Sequence, residues 1–282
     1  MQKRELTMKN AIHMLHSITN TQMNSFLITT ASGKIIAIDG GLRGDALYFL
    51  EYLRGVSGQE IPHIDVWFLT HPHLDHIDAF MEIMQNHREE LTVGEIRFGF
   101  PSREFMALED KSATQTMEEF YGVLPLFADK VRFTSGGTVL EVGEAKFTIL
   151  YSHDSEFTHN VCNNSSLVFR LDLGGKSAIF TGDCGVEAGQ KILRMWGDTG
   201  LLKADICQMA HHGQNGCDRA FYEAVSPEIC LWCTPLWLWN NDRGKGFNTH
   251  IWKTVEVRGW MDEIGVKTNL KICDGTQVLE LD

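Results

Sequence analysis

The segment FLTHPHLDHIDAF, residues 68–80, places three histidines and an aspartate within six consecutive positions. It continues the apolar run of residues 66–69, which is typical of a buried strand. Imidazole and carboxylate groups at the end of such a strand cost about 1–3 kcal/mol each when they are buried without a partner. The segment therefore predicts a bound partner, and these two ligand types together indicate a metal ion.

The local backbone predicts how these side chains divide between two ions. Pro72 favours an extended conformation for His71, and in an extended chain residues two apart point the same way. His71 and His73 are therefore expected to converge on one ion. Asp75 and His76 lie where a helix begins, since apolar residues then recur at helical spacing. This change of direction aims them at a second ion. We expect two divalent ions, zinc first, with manganese or iron as alternatives.

The composition is that of an ordinary soluble protein. The chain has 282 residues, of which 43% are hydrophobic and 22% are charged. Charges or glycines interrupt its apolar runs, so we expect no membrane span, and the N-terminal segment shows no signal peptide pattern. Seven cysteines without regular spacing indicate a reducing compartment, for which the cytoplasm is the default expectation.

The formal net charge of −12 bears on the class of partner. A surface with this charge repels polyanions on average and lowers the expectation of a nucleic-acid partner. A local basic patch would still permit one. A small-molecule or phosphoester substrate is the expected partner, and the sequence leaves the oligomeric state open.

Strand-like and helical patterns alternate along the chain. Strands are expected at 11–16, 25–30, 34–38, 64–70, 95–99, 146–151, 167–173, 177–181, 205–210, 228–233 and twice near the C-terminus. Helices are expected after an N-cap at Asp45, from Asp75, and over 185–196, 218–225 and 250–264. This alternation predicts a single α/β domain over residues 1–282, with sheets in the middle and helices outside.

The motif THPHLDH resembles the H-x-H-x-D-H signature of the metallo-β-lactamase superfamily. Further family landmarks follow in order: KIIAIDGG with the supporting carboxylate Asp39, AIFTGD ending at Asp183, and DICQMAHHGQNG with His211 and His212. The resemblance implies the four-layer αβ/βα sandwich of that family. It also implies that Asp183 bridges both metals and that one of the two late histidines is a ligand, a choice that the sequence leaves open.

One family landmark is missing. Many family members carry another ligand histidine before the strand expected at 167–173, but here the usual position reads Cys162-Asn163-Asn164-Ser165-Ser166. His153 and His159 lie nearby, and we include His159 among the expected metal ligands, with His153 as the alternative. The pattern N-N-x-S-L-V resembles the branch that contains the hydrolase-like domain of DNA-uptake competence proteins and the phosphorylcholine esterases. That resemblance implies that Asn164 shapes the site, and we count it among the substrate-binding candidates.

Two metal ions about 3.5–4 Å apart lower the pKa of a bridging water and polarise an ester. Asp75 or Asp183 would hold the resulting hydroxide and accept its proton, so both are the expected catalytic residues. The leading hypothesis is a dinuclear metal-dependent hydrolase of a phosphoester or phosphodiester. The alternatives are a hydrolase of a lactone, thioester or β-lactam, and a non-catalytic binding module that contains metal.

Substrate contacts are expected from the segment CTPLWLWNNDRGKGFNTH, residues 233–250. Trp237 and Trp239 alternate and would line a pocket. Arg243, Lys245 and His250 would meet a phosphate or a carboxylate. The ordinary alternative is that the tryptophans pack in the core and that Arg-Gly-Lys-Gly is a solvated turn.

Overall fold

Two seven-stranded sheets dominate the computed structural model, which describes residues 8–109 and 111–282. The strands of the described residues are Ala11–Met14 (β1), Ser25–Thr29 (β2), Ile35–Asp39 (β3), His63–Phe68 (β4), Thr92–Phe98 (β5), Val131–Phe133 (β6), Val139–Val142 (β7), Ala145–Tyr151 (β8), Val168–Leu173 (β9), Lys176–Phe180 (β10), Ile206–Gln208 (β11), Ile229–Trp232 (β12), Thr268–Lys271 (β13) and Gln277–Glu280 (β14).

The two sheets share one pattern of strand directions. The first has the order β14-β1-β2-β3-β4-β5-β6, antiparallel as far as β3 and parallel from there on. The second has the order β7-β8-β9-β10-β11-β12-β13, antiparallel as far as β10 and parallel afterwards. The carboxyl ends of β3 and β4, and those of β10, β11 and β12, are therefore available to form one site.

Helices cover the outer face of each sheet. The helices of the described residues are Ala46–Ser57 (α1), Leu74–Asn86 (α2), Arg103–Met106 (α3), Lys111–Val123 (α4), Val186–Trp196 (α5), Arg219–Val225 (α6), Leu236–Trp239 (α7) and Thr254–Ile264 (α8). One buried cluster joins α1, α2 and α4 to the first sheet, and another joins α5, α6 and α8 to the second. A third cluster fills the space between the sheets. These layers confirm the predicted αβ/βα sandwich.

Aromatic side chains make these layers specific. On the outer face of the first sheet, Trp67 stacks on Phe49 of α1 with ring centroids 5.0 Å apart and meets Phe80 of α2 edge-on at 4.9 Å. Between the sheets, Phe68 stacks on Phe169 at 4.9 Å. Neighbouring residues of β4 thus face opposite layers, as the period of two in a strand requires. This packing holds the end of β4, and the metal-binding motif after it, between both layers.

The predicted elements lie close to the observed ones, apart from the differences that follow. Asp45 stands at the predicted N-cap position of α1, but its carboxylate accepts the backbone N–H of Ile18 at 2.8 Å and forms no capping bond with the helix. Helices α3, α4 and α7 and strands β6 and β7 are not among the expected elements. The single domain predicted for residues 1–282 stays a prediction, and residues 1–7 lie outside the described part.

Within the described residues, no helix combines the length and the apolar character that a membrane span requires.

Candidate metal centre

The polar residues that follow five strands meet at one edge of the sandwich. Asp39 ends β3, and the motif that begins at Thr70 follows β4. From the second sheet, Asp183 follows β10, His212 follows β11 and Cys233 follows β12. Parallel neighbours bring their carboxyl ends to the same edge, so residues far apart in sequence become neighbours here.

The ligand atoms at this edge form overlapping groups whose members lie within 4.8 Å of one another. The groups are His71, His73 and Cys162; His71, His76 and Asp183; and Asp75, His76 and His212. His71 and His73 thus form one pair, and Asp75 and His76 belong to another, which is the division that the backbone of the motif predicts. Asp183 lies between them. The structure brings together six of the predicted ligands and adds Cys162.

Several buried polar atoms of this centre approach each other closely without forming hydrogen bonds. Nε2 of His76 is 3.1 Å from Oδ1 of Asp183, yet both atoms lack a hydrogen-bond partner. Nε2 of His212 is 3.1 Å from Oδ2 of Asp75 and also lacks one. Buried polar groups are rarely left in this condition, whereas lone pairs that converge on a common point are what a cation requires. Two imidazole and carboxylate sets that share Asp183 fit a pair of divalent metal ions.

Outer contacts fix the orientation of two of these imidazoles. Nδ1 of His76 is 2.7 Å from Oδ2 of Asp39, and Nδ1 of His212 is 3.0 Å from the carbonyl oxygen of Cys233. Each contact leaves Nε2 directed at the centre. A carboxylate or carbonyl behind a ligand histidine is the arrangement that orients metal-binding imidazoles in proteins.

The side chains of the centre shift one another's pKa values strongly. Burial opposes ionisation of Asp183, but the charges of His212 and His76 outweigh it and hold the pKa of this carboxyl well below its usual range. Burial also opposes protonation of His212, but Asp183 and Asp75 raise its pKa to about 9. For His71 burial dominates and lowers the pKa well below the ordinary value. The carboxylates therefore remain ionised, as metal ligands must be.

The two late histidines take different places. Both have positive φ, 52° for His211 and 54° for His212, so the chain turns sharply before Gly213. His212 is fully buried and belongs to the group with Asp75. His211 retains 21% side-chain exposure, and its Nε2 lies 3.8 Å from Oδ2 of Asp183. The structure thus directs His212 into the centre and places His211 beside it, partly exposed.

A cavity of about 480 Å³ opens beside His211, and we call it the entrance cavity. Its lining consists of Glu109, His159, Asn160, Val161, Val186, Glu187, His211 and Asn215. Two carboxylates thus lie in this lining, and among its described residues there is no lysine or arginine. Neither Glu109 nor Glu187 belongs to a motif, so the sequence carries no signal that singles out either residue.

The structure corrects the expectation that His159 binds metal. Its side chain is 79% exposed, and its Nδ1 lies 2.7 Å from Oε1 of Glu109 at the entrance cavity. His153 is not in the centre either, since it packs edge-on against Phe105 and its Nδ1 lies 3.4 Å from Oγ of Ser165. Residues 152–162 form a loop, and this loop turns both imidazoles away from the other ligands.

Asn164 holds the loop together and is not exposed to a substrate. It is 2% exposed, and its Nδ2 donates to the carbonyl oxygen of His159 at 2.9 Å and to Oε2 of Glu187 at 3.1 Å. Its Oδ1 accepts the backbone N–H of Ala188 at 3.3 Å. The substrate-binding role proposed for Asn164 is therefore replaced by a positioning role between the loop and α5.

The tryptophans of segment 233–250 do not line one pocket. Residues 236–239 form the short helix α7 instead of a strand, so side chains two apart point in different directions. Trp239 packs edge-on against Trp232 in the core. Trp237 lies outside with Arg243, whose guanidinium is 4.3 Å from the centre of its ring.

The remaining candidates of this segment are also away from the entrance cavity. His250 stacks on Trp252 with ring centroids 3.8 Å apart. The backbone N–H of Lys245 donates to Oδ1 of Asp242, which also caps the two neighbouring glycines in a solvated turn. None of the five candidates lines the entrance cavity, so their role in substrate binding receives no support from this arrangement.

Comparisons with known proteins agree with this geometry. The chain is 27% identical over 177 residues to ComE operon protein 3 of Bacillus subtilis (strain 168), which covers 62% of this chain and 20% of that protein. The match thus spans about a fifth of the relative's length. Among solved structures, the metallo-β-lactamase fold protein YhfI of Bacillus subtilis has a TM-score of 0.55 at 13% identity, covering 96% of this chain and 99% of its own.

CmlA, a diiron β-hydroxylase from Streptomyces venezuelae, has a TM-score of 0.56 at 12% identity, covering 97% of this chain and 54% of its own. At such identities the likeness concerns the fold alone. The sequence model of the Metallo-beta-lactamase superfamily matches residues 18–215, which include the whole candidate centre except for Cys233. The chain therefore belongs to the metallo-β-lactamase superfamily.

Proposed function

We propose that this protein is a metal-dependent hydrolase of small phosphodiesters. It works with two divalent metal ions, for which zinc is the leading candidate. The observation that carries the proposal is the position of Asp183 between two ligand sets, with its Oδ2 3.8 Å from Nε2 of His71 and its Oδ1 3.1 Å from Nε2 of His76. A purely structural site is more often closed by four ligands around one ion. Here the ligand sets are shared and lie beside an open cavity, which favours catalysis over a structural role.

Two metal ions in this centre would supply a nucleophile at neutral pH and stabilise negative charge on the attacked phosphoryl group. The residues of the chain provide the positioning. Oδ2 of Asp75 lies between Nε2 of His212 at 3.1 Å and Nε2 of Gln22, which donates to it at 3.1 Å. This carboxylate is partly exposed, so it can accept a proton and pass it to solvent. His211 faces the entrance cavity, where its imidazole can contact the bound substrate.

The charge of the entrance cavity favours a diester over a monoester. Glu109 and Glu187 repel a phosphate monoester, which carries two negative charges near neutral pH, more strongly than a diester, which carries one. The net charge of −12 likewise disfavours long nucleic acids. A small phosphodiester places only one charge at the centre, where the ions can neutralise it.

The test compares chromogenic substrates on the metal-loaded protein. We expect cleavage of bis-p-nitrophenyl phosphate, at least tenfold slower cleavage of p-nitrophenyl phosphate, and no turnover of a lactone or a β-lactam. His73→Ala should abolish the diester cleavage. His63→Ala is the matched control, because this histidine lies at the start of β4 with a half-exposed side chain, and it should retain full activity.

Other outcomes would redirect the assignment. Faster turnover of a lactone or thioester would assign the centre to the alternative class of hydrolase. Two bound metal equivalents without turnover of any of these substrates would support the non-catalytic metal-containing module. Retention of most activity in His73→Ala would show that the chemistry takes place elsewhere.

A further inference from the structure

Cys162 occupies the place in the centre that an additional histidine takes in many relatives. Its Sγ lies within 4.8 Å of the ligand nitrogens of His71 and His73, and the residue is 2% exposed. The two histidines that the sequence offered for this place, His153 and His159, both point elsewhere. The side chain that lies beside the first ligand pair is thus a thiol and not a third imidazole.

The backbone around Cys162 is fixed by several hydrogen bonds. Its carbonyl oxygen accepts the N–H of Ser165 at 3.0 Å, and Oγ of Ser165 donates to the carbonyl oxygen of Val161 at 2.6 Å. The hydroxyl of Tyr151 donates to the carbonyl oxygen of Asn164 at 2.9 Å. These contacts hold the turn of residues 163–165 against β8, so the position of the thiol is set by the fold.

A buried carboxylate that contacts His71 indicates that a cation belongs in the same centre. Asp183 is 1% exposed, and its Oδ1 has no hydrogen-bond partner, while its Oδ2 lies 3.8 Å from Nε2 of His71. A buried carboxylate oxygen in this condition requires a cation. His71 belongs to the group with Cys162 and also to the group with Asp183, so the same ion is within reach of both.

We propose that Cys162 is a ligand of the first metal position, together with His71, His73 and the shared Asp183. A thiolate is a soft ligand that favours zinc, cobalt(II) or iron(II) over manganese and magnesium. The first position is therefore selective for an ion of the zinc class. This inference rests on the metal centre of the proposed function, but it concerns ligation and does not depend on the substrate.

The test uses cobalt(II) as a spectroscopic substitute for zinc in the full chain. A cobalt–thiolate bond gives a charge-transfer absorption in the near ultraviolet that imidazole and carboxylate ligands do not give. We expect this band in the wild-type protein and its loss in Cys162→Ser, with cobalt content falling from two equivalents towards one. Cys230→Ser is the matched control, because this buried cysteine lies in the core with its Sγ 3.6 Å from Sδ of Met261. It should keep the band.

A second measurement does not depend on any variant folding. X-ray absorption at the zinc edge of the wild-type protein should show one sulfur neighbour at about 2.3 Å for every two zinc ions. Absence of sulfur from the zinc environment, a cobalt band that persists in Cys162→Ser, or a wild-type protein that binds no cobalt would each overturn the proposal. Diester cleavage by a protein that lacks the band would overturn only the cysteine ligation. The band without any turnover would overturn only the proposed function.

Discussion

Asp39 and His76 form a fully buried pair in which Oδ2 of the carboxylate lies 2.7 Å from Nδ1 of the imidazole. Asp39 has a φ of 52°, an unusual value that turns its side chain from the end of β3 towards the motif after β4. It also accepts the N–H of Thr70 and the amide of Asn24, both at 2.7 Å. One carboxylate thus ties both strands to a metal-binding histidine.

Replacing this carboxylate should weaken metal binding without removing a ligand. In Asp39→Asn, an amide group takes the place of a carboxylate that His76, Asn24 and both the N–H and the hydroxyl of Thr70 approach, and His76 loses its orientation. Loss of such an outer contact typically lowers metal affinity 10–100-fold. Titration of the apoprotein with zinc against a competing chelator measures the change.

Asp65→Asn is the matched control for this variant. Asp65 lies at the opposite end of β4, where it accepts the N–H of Ile35 at 3.0 Å and pairs with Lys34 at 2.9 Å. Its loss should affect the sheet but not the zinc affinity. Equal affinities in the two variants would show that Asp39 has only a structural role.

The two late histidines should differ in their effect on metal content. In His212→Ala the group of Asp75 and His76 loses its third member, so we expect zinc content to fall from two equivalents towards one. His211→Ala should keep both equivalents but lower kcat, because its imidazole faces the entrance cavity. Elemental analysis after gel filtration measures the zinc content of each variant, and circular dichroism checks that each variant is folded. The reverse pattern of metal loss would mean that His211 is the ligand.

Some site residues could be predicted from the sequence and others could not, and the difference has a physical reason. The motif of residues 71–76 is local, and its extended start and helical end follow from Pro72 and the apolar spacing, so its division into two pairs was predictable. The choice between His211 and His212 was not, because it depends on two consecutive residues with positive φ. Cys162 was also hidden. Its role depends on the fold of loop 152–162, and a cysteine next to a strand is ordinarily a buried apolar residue.

The strand and helix patterns show the same distinction. Buried strands such as β3 and β10 were predictable from their apolar runs. Strands β6 and β7 are short and partly exposed, so their residues lack that signal. The alternation of Trp237 and Trp239 predicts two side chains that line one pocket, whereas Pro235 precedes the one-turn helix α7. A single turn carries too few residues to show a helical period.

Gly213 should be indispensable for the loop that carries both late histidines. Its φ is +76°, and a Cβ there would lie 2.3 Å from Cζ3 of Trp232. Gly213→Ala combines an unfavourable backbone conformation with a collision against a buried ring, for which we expect a loss of about 3 kcal/mol in the free energy of unfolding. Urea denaturation of the zinc-loaded protein measures it.

Gly200→Ala separates the two contributions. Gly200 has nearly the same φ, +78°, but a Cβ there meets no atom within 4 Å. Only the backbone contribution remains, and the loss should be about 1 kcal/mol. If both variants lose the same stability, the contact with Trp232 adjusts freely and the collision has no effect.

His13 should make the protein less stable in mild acid. This histidine of β1 is 9% exposed, with its Nδ1 3.0 Å from the hydroxyl of Tyr52, and burial lowers its pKa from 6.5 to about 4. Between these values the unfolded chain binds a proton that the folded chain does not, so stability falls as pH decreases from about 6.5 to about 4. By pH 5 the loss should be about 2 kcal/mol.

The variant His13→Gln tests this prediction, because glutamine does not titrate while the metal ligands titrate alike in both proteins. The advantage of the wild-type protein in urea denaturation should therefore be greatest near pH 7.5 and shrink by about this amount at pH 5. Parallel pH profiles for the two proteins would show that His13 does not contribute to the acid sensitivity.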